Sequence, residues 1–230
     1  MRSYKFRLYP SKSQEMKLQH QLYLSKQLWN ELLALSRQMY ADFGYFPTKA
    51  TLHQLTKDSG MYSQTAQSDS QRLQDALTRF LKLKTEGKPC GFPRFKSIDR
   101  MKSLHYPQFG FELGNKLKVT PFGELSIVKH RQIKGMMKTL TIKREATGKW
   151  FACFAVEQEK VLPKENNGKE VGIDLGLKSL ATLSDGTIIG NPMHLLKLEE
   201  QLAFLQRHLS RSKKRSKNRL RAKLKVARVH

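Results

Sequence analysis

The chain reads as an α+β protein: one strand, a helical block, a small barrel of short strands, then a second set of strands and a helical hairpin. Three observations predict this. Residues 11–87 carry apolar side chains at helical spacing. From Lys88 to Glu157, short alternating runs separated by turn residues replace them. After Pro192 the period turns helical again, in a segment dense in Lys and Arg.

The run SYKFRLYP alternates, with Tyr4, Phe6 and Leu8 facing one way and Lys5, Arg7 and Tyr9 the other, so it reads as a strand that Pro10 stops. Ser11 can cap a helix, and Gln14 three residues on completes a capping box. Leu18, Leu22, Trp29, Leu32, Leu33 and Met39 carry that helix to about residue 40, where FGYFPT ends it. A short helix over 48–57 is broken at Gly60. A longer one from about 64 to 83 sets Leu73, Leu77, Phe80 and Leu81 on one side. The stretch TLHQLTKDSGMYSQTAQ also permits a helix-turn-helix, although its second helix is poor in basic residues.

Beyond TEGKPCGFPRFKS the runs LHYPQFGFEL, KLKVTPFGELSIVKH, MKTLTIKRE and KWFACFAVEQE read as strands, with ATGK as a hairpin loop. Several short strands at this spacing suggest a small barrel, with Phe6, Trp150 and Phe154 in its core. LPKENNGKE reads as a linker. Strands are expected over 171–175, 180–184 and 187–189, with a turn at Asp185–Gly186. Leu195, Leu198, Leu202, Leu205 and Leu209 then step by three and four, the seam of a packing helix. SRSKKRSKN interrupts the seam and Leu220, Leu224 and Ala227 resume it, which predicts a hairpin with a basic tip. The last residues still read as helix, so the sequence is expected to stop short of its domain boundary.

Charge narrows the partners. The 230 residues include 43 Lys and Arg against 19 Asp and Glu, a formal net charge of +24. Such self-repulsion calls for a polyanion, with nucleic acid ahead of an anionic membrane. No run approaches the roughly 20 apolar residues of a spanning helix, and the N-terminus has no apolar signal region, so a cytoplasmic location is the default. Cys90 and Cys153 are far apart and form no CxxC pair, which excludes a zinc ribbon within this chain.

No acid follows Glu200, while Lys and Arg fill much of 207–228. Arg211, Lys213, Lys214, Arg215, Lys217 and Arg219 form the dense tip, and Arg221 continues it. These are candidate phosphate contacts, positioning nucleic acid without reading its sequence. Arg94, Lys96 and Tyr9 lie at element ends beside aromatics that could stack on bases, and His130 and Arg131 in KHRQIKG are further candidates.

KEVGIDLGLKSLATLSDG places one carboxylate, Asp174, inside an apolar run. A buried, unpaired carboxylate costs several kcal/mol or more, so this group is expected to be paired, protonated or bound to a cation. Three readings fit: a turn-capping Asp, a phosphate or nucleotide site like the first strand of actin-type ATPases, and a metal ligand for phosphodiester hydrolysis. In the last, Mg²⁺ is held by carboxylates and phosphate, with Asp174 on the central strand of a sheet and Gly172 and Gly176 admitting the backbone.

In order along the chain, YKFRLYPSKSQE with LWNELL, GFPRFKS, YPQFGFEL, KHRQIKGMMKTLTIKRE, GKWFACFAVE and GIDLGLKSLATLSDG resemble the TnpB or OrfB-type proteins of bacterial and archaeal insertion sequences. The resemblance implies an RNA-guided DNA endonuclease related to type V CRISPR effectors. It implies a helical recognition lobe (11–87) inserted in a wedge barrel (1–10 and 88–162). A partial RuvC-like, RNase H-like domain (163–230) follows, with a basic helical hairpin over 192–230. It makes Asp174 the first catalytic carboxylate and a Mg²⁺ ligand of an incomplete site, and adds Lys178 beside it to the nucleic-acid contacts. Guide RNA from the transposon end and double-stranded target DNA are the implied partners, near the prokaryotic nucleoid. The family's later Glu, its four-cysteine zinc ribbon and its final Asp have no counterpart here. The chain alone is therefore expected to be inactive, without zinc and with Mg²⁺ only in a completed site. The alternative is an inert nucleic-acid-binding module from a truncated gene.

Overall fold

The computed structural model describes residues 1–159, 168 and 170–229. The predicted linker lies almost wholly outside these. The chain divides into two compact units, Met1–Glu159 and Lys160–His230.

The first unit opens with β1 (Arg2–Tyr9), whose Tyr4, Phe6 and Leu8 are buried and whose alternate residues point outward, as the period of two requires. Helix α1 (Lys12–Phe43) follows at once. Ser11 Oγ accepts from the Gln14 amide (3.2 Å), and Gln14 Oε1 accepts from the Ser11 amide (3.0 Å). The same Gln14 side chain donates to the Glu124 carbonyl (2.8 Å), tying the start of the helix to the barrel. Ser11→Ala is expected to cost about 1 kcal/mol, read as a lower urea midpoint at unchanged m-value. Gly44, at φ 75°, closes the helix in the left-handed conformation that only a residue without Cβ adopts freely. Leu18, Leu22, Leu28, Trp29, Leu32 and Leu33 are buried along α1, and Met39 is half-buried.

Helix α2 (Lys49–Gln54) is shorter than its sequence suggests, capped by the Thr48 hydroxyl. Helix α3 (Ser63–Thr85) buries Leu73 and Leu77, whereas Leu81 is exposed. Residues 88–97 form no strand; they run without regular structure to a 3-10 turn at Ile98–Arg100. The remaining strands are β2 (Ser103–Tyr106), β3 (Phe111–Leu113), β4 (Leu117–Val119), β5 (Gly123–Val128), β6 (Met136–Arg144) and β7 (Trp150–Glu157). They pair antiparallel in the order β2-β6-β7-β1-β5-β4-β3. The Tyr106 hydroxyl at the end of β2 donates to the Thr120 carbonyl beside β4 (2.9 Å), bringing the two ends of the sheet nearly to closure. The interior holds Phe6, Leu104, Leu125, Leu140, Trp150 and Phe154, all buried. This is the expected α+β class, with the helices lying in sequence between the first and second barrel strands.

The second unit contains β8 (Ile173–Asp174), β9 (Ser179–Leu183) and β10 (Ile188–Gly190), in the order β10-β9-β8, then α4 (His194–Arg211) and α5 (Lys217–Val229). Gly186, at φ 87°, makes the expected turn after Asp185. The seam between α4 and α5 is half-buried at Leu202, Leu205, Leu209, Leu224 and Val226, and Ala222 is buried. Leu195, Leu198 and Leu220, predicted to belong to it, are exposed.

Candidate nucleic-acid interface and the Asp174 strand

The loop 89–96 is held open by α1. Trp29 donates its indole N–H to the Arg94 carbonyl (3.2 Å). Asn30 makes two bonds to Lys96, donating to its carbonyl (3.0 Å) and accepting from its amide (2.8 Å). With the backbone pinned, the Arg94 and Phe95 side chains stand exposed while Lys96 folds inward. Its ammonium lies 3.2 Å from the centre of the Trp29 ring, a cation–π contact. Burial lowers its pKa to about 8, and Arg72 adds to the fall while Asp69 opposes it.

Among the described residues the buried carboxylate is Asp69, which the sequence reading passed over. It accepts from Ser25 Oγ and from Arg72 Nη1 (3.3 Å). Burial pushes its pKa up, and Ser25, Arg72 and Lys96 pull it back. The signal was present: Asp69 falls in the stripe Ala66, Asp69, Leu73, Leu77, at the three- and four-residue steps of a buried helix face.

His130 and Arg131 lie together in the loop between β5 and β6. The His130 ring sits 5.1 Å from that of Phe6, and the Arg131 guanidinium 4.8 Å over Tyr4. Both cover the aromatic end of β1 and remain exposed.

On the hairpin, Arg211, Lys213, Lys214, Arg215, Lys217 and Arg221 are exposed. Arg219 differs. Its guanidinium donates to the carbonyls of Leu209 (2.7 Å) and Ser212 (3.0 Å), satisfying the C-terminal end of α4 and fixing the turn. The tip thus gathers five exposed cations over 211–217, with Arg219 as its brace.

Asp174 stands otherwise than the sequence suggests. Its strand is two residues long and at the edge of its sheet, not the centre, paired only through Ile173–Leu183 and Asp174–Thr182. Asp174 is exposed, and so are its apolar neighbours Ile173 (60%), Leu175 (75%) and Leu177 (90%). The desolvation cost that demanded a partner therefore does not arise. Lys178 is exposed in the turn that follows, which Asn191 braces by donating to the Leu177 carbonyl (2.9 Å). A Cβ at Gly176 would come within 3.2 Å of the Ser179 carbonyl, so the turn itself favours glycine there.

Among the described residues, no three His, Cys, Asp or Glu side chains come together as a metal centre. The Asp185 carboxylate accepts from the Thr187 amide (2.8 Å), which lowers its pKa, and Glu199 and Glu200 are exposed on α4. The divalent metal implied by the resemblance does not fit the described residues alone: Asp174 belongs to no such cluster, and no hydrolytic step follows from it.

An exposed cationic hairpin, a pinned basic and aromatic loop and an excess of 24 positive charges are features that suit a polyanion. Residues 153–230 match the model of the OrfB family, described as "Probable transposase", and residues 1–44 match the accompanying "Helix-turn-helix domain". Over 1–44 the chain is one strand and one uninterrupted helix. It is 30% identical over 245 residues to the "Putative RNA-guided DNA endonuclease InsQ" of Escherichia coli (strain K12). It is also 30% identical over 251 residues to a "Putative RNA-guided DNA endonuclease" of Streptomyces pristinaespiralis. Both matches cover the whole chain, which spans 59% of each relative's length. Among solved structures it is similar to a chain of the Cas12f1-sgRNA-target DNA complex, at 12% identity and a TM-score of 0.46, covering 92% of this chain and 62% of that one. A likeness at that score is too coarse to assign roles.

Proposed function

We propose that this chain is the nucleic-acid-binding part of an RNA-guided DNA endonuclease of the TnpB type, taking guide RNA from the transposon end and double-stranded target DNA. The observation that carries the reading is its match, from end to end at 30% identity, to two relatives named as such endonucleases. Its charge suits both partners, because neutralising phosphates releases their counterions. In this reading residues 11–87 are the recognition lobe, 1–10 and 88–162 the wedge barrel, and 163–230 the RuvC-like part. The hairpin tip contacts phosphate, Arg94, His130, Arg131 and Lys178 add contacts, and Lys96 and Arg219 hold their elements in shape. Asp174 is one Mg²⁺ ligand of a centre that needs further carboxylates. Such a protein works where its RNA is made and DNA is packed, in the prokaryotic cytoplasm at the nucleoid.

The test combines purified chain, RNA from the transposon end, target DNA and Mg²⁺. RNA is expected to bind and DNA to stay intact. Cutting that disappears in Asp174→Ala would show that the other ligands lie within this chain and overturn the one-carboxylate reading. No RNA binding at low salt would overturn the function.

A further inference from the structure

Between α1, α3 and the loop 89–96 lies a groove of about 520 Å³. Helix α3 lines it with Ala76, Arg79, Phe80 and Leu83, residues three and four apart and so on one face. The opposite wall is the loop itself, an irregular segment pinned at Arg94 and Lys96 by Trp29 and Asn30.

The lining has a consistent chemistry. Arg79, Arg94 and Arg100 are exposed around it, and none of them forms a salt bridge among the described residues. No carboxylate lines it. Phe95 is 46% exposed, with the Arg37 guanidinium 5.2 Å from its ring centre, so an aromatic face stands beside several cations. The floor is apolar, with Phe80 edge-on to Phe92 at 5.1 Å. A cavity of this size holds a small ligand, roughly one or two nucleotides, and excludes a duplex.

We propose that this groove binds an unpaired nucleic-acid strand, with a base stacked on Phe95 and its flanking phosphates held by Arg79, Arg94 and Arg100. Charge complementarity selects the occupant: a ring of guanidiniums without a counter-charge suits phosphate, and an exposed aromatic ring between them suits any base. The proposal rests on the nucleic-acid reading above. It adds a place where single strands are distinguished from duplexes, which the hairpin tip, an array of charges alone, does not supply.

The test measures binding of the full chain to a twelve-nucleotide oligouridylate, the matching oligothymidylate and a duplex of the same length. Phe95→Ala is expected to weaken both single strands roughly five- to a hundredfold, to leave the duplex unchanged, and to keep the same salt slope. Arg79→Ala with Arg94→Ala is expected to lower the single-strand salt slope by about 1.4. A second readout needs no variant. Cys90 lines the groove and Cys153 lies on β7, so either oligonucleotide should slow alkylation of Cys90 and not of Cys153. A larger response to the oligouridylate identifies RNA as the strand, and an equal one identifies a site blind to the sugar; both support the groove. Unchanged affinities in the groove variants with no protection of Cys90, while hairpin-tip variants bind less, would overturn the groove and leave the wider reading standing. A wild-type chain that binds none of the three probes at low salt would overturn both.

Discussion

Phe6→Ala is expected to destabilise the first unit by about 3–5 kcal/mol. Phe6 is fully buried on β1, which pairs with β7 on one side and β5 on the other, so its ring lies in the body of the barrel. It meets Phe154 at 6.1 Å, His130 at 5.1 Å and Tyr4 at 6.4 Å. Truncation forfeits the transfer energy of the ring and leaves a cavity, because strands hydrogen-bonded on both sides have little freedom to collapse inward. Against a typical total of about 5–15 kcal/mol, that is a large share. Urea unfolding followed by tryptophan fluorescence measures it, since Trp150 is buried in the same interior. A loss below about 1 kcal/mol would mean that the barrel core is assembled differently.

Replacing Lys213, Lys214 and Arg215 together with Gln is expected to lower the slope of log affinity against log salt by about two to three units. Each phosphate contact contributes about 0.7 on a single strand and 0.9 on a duplex. All three side chains are exposed in the turn between α4 and α5, so their removal leaves the helices intact. Arg219→Ala should behave differently. It removes the guanidinium bonds to the Leu209 and Ser212 carbonyls, leaving Leu209 only the Ser212 amide, so helical signal in the far-ultraviolet should fall along with affinity. A triple variant that keeps the wild-type slope would remove the tip from the interface.

The elements with a strong local period were legible before any coordinates. The alternation of β1, the capping box at Ser11, the hairpin joining β6 to β7 and the buried Phe6, Trp150 and Phe154 all stand as read. What escaped was the destination of long side chains. Lys96 and Arg219 counted as free cations in the sequence, yet one lies on Trp29 and the other closes a helix end. Flexible cationic stems reach back to whatever the fold places nearby, and periodicity carries no record of that. Asp174 is exposed where burial was expected, and Asp69, on which no expectation was placed, is buried. An apolar run does not by itself mean burial: β8 is a two-residue edge strand with its flanks open, whereas Asp69 is buried on the apolar stripe of α3.

The placement of β1 bears on how the protein is made. Its register with β7 joins Arg2 to Val156 and Leu8 to Trp150, so β1 leaves the ribosome well before the strand it pairs with. At about 5–20 residues per second, that interval is on the order of ten seconds. Throughout it the Tyr4, Phe6 and Leu8 side of the nascent strand is available to chaperones, and any tag fused ahead of Met1 must be carried to the middle of the finished sheet.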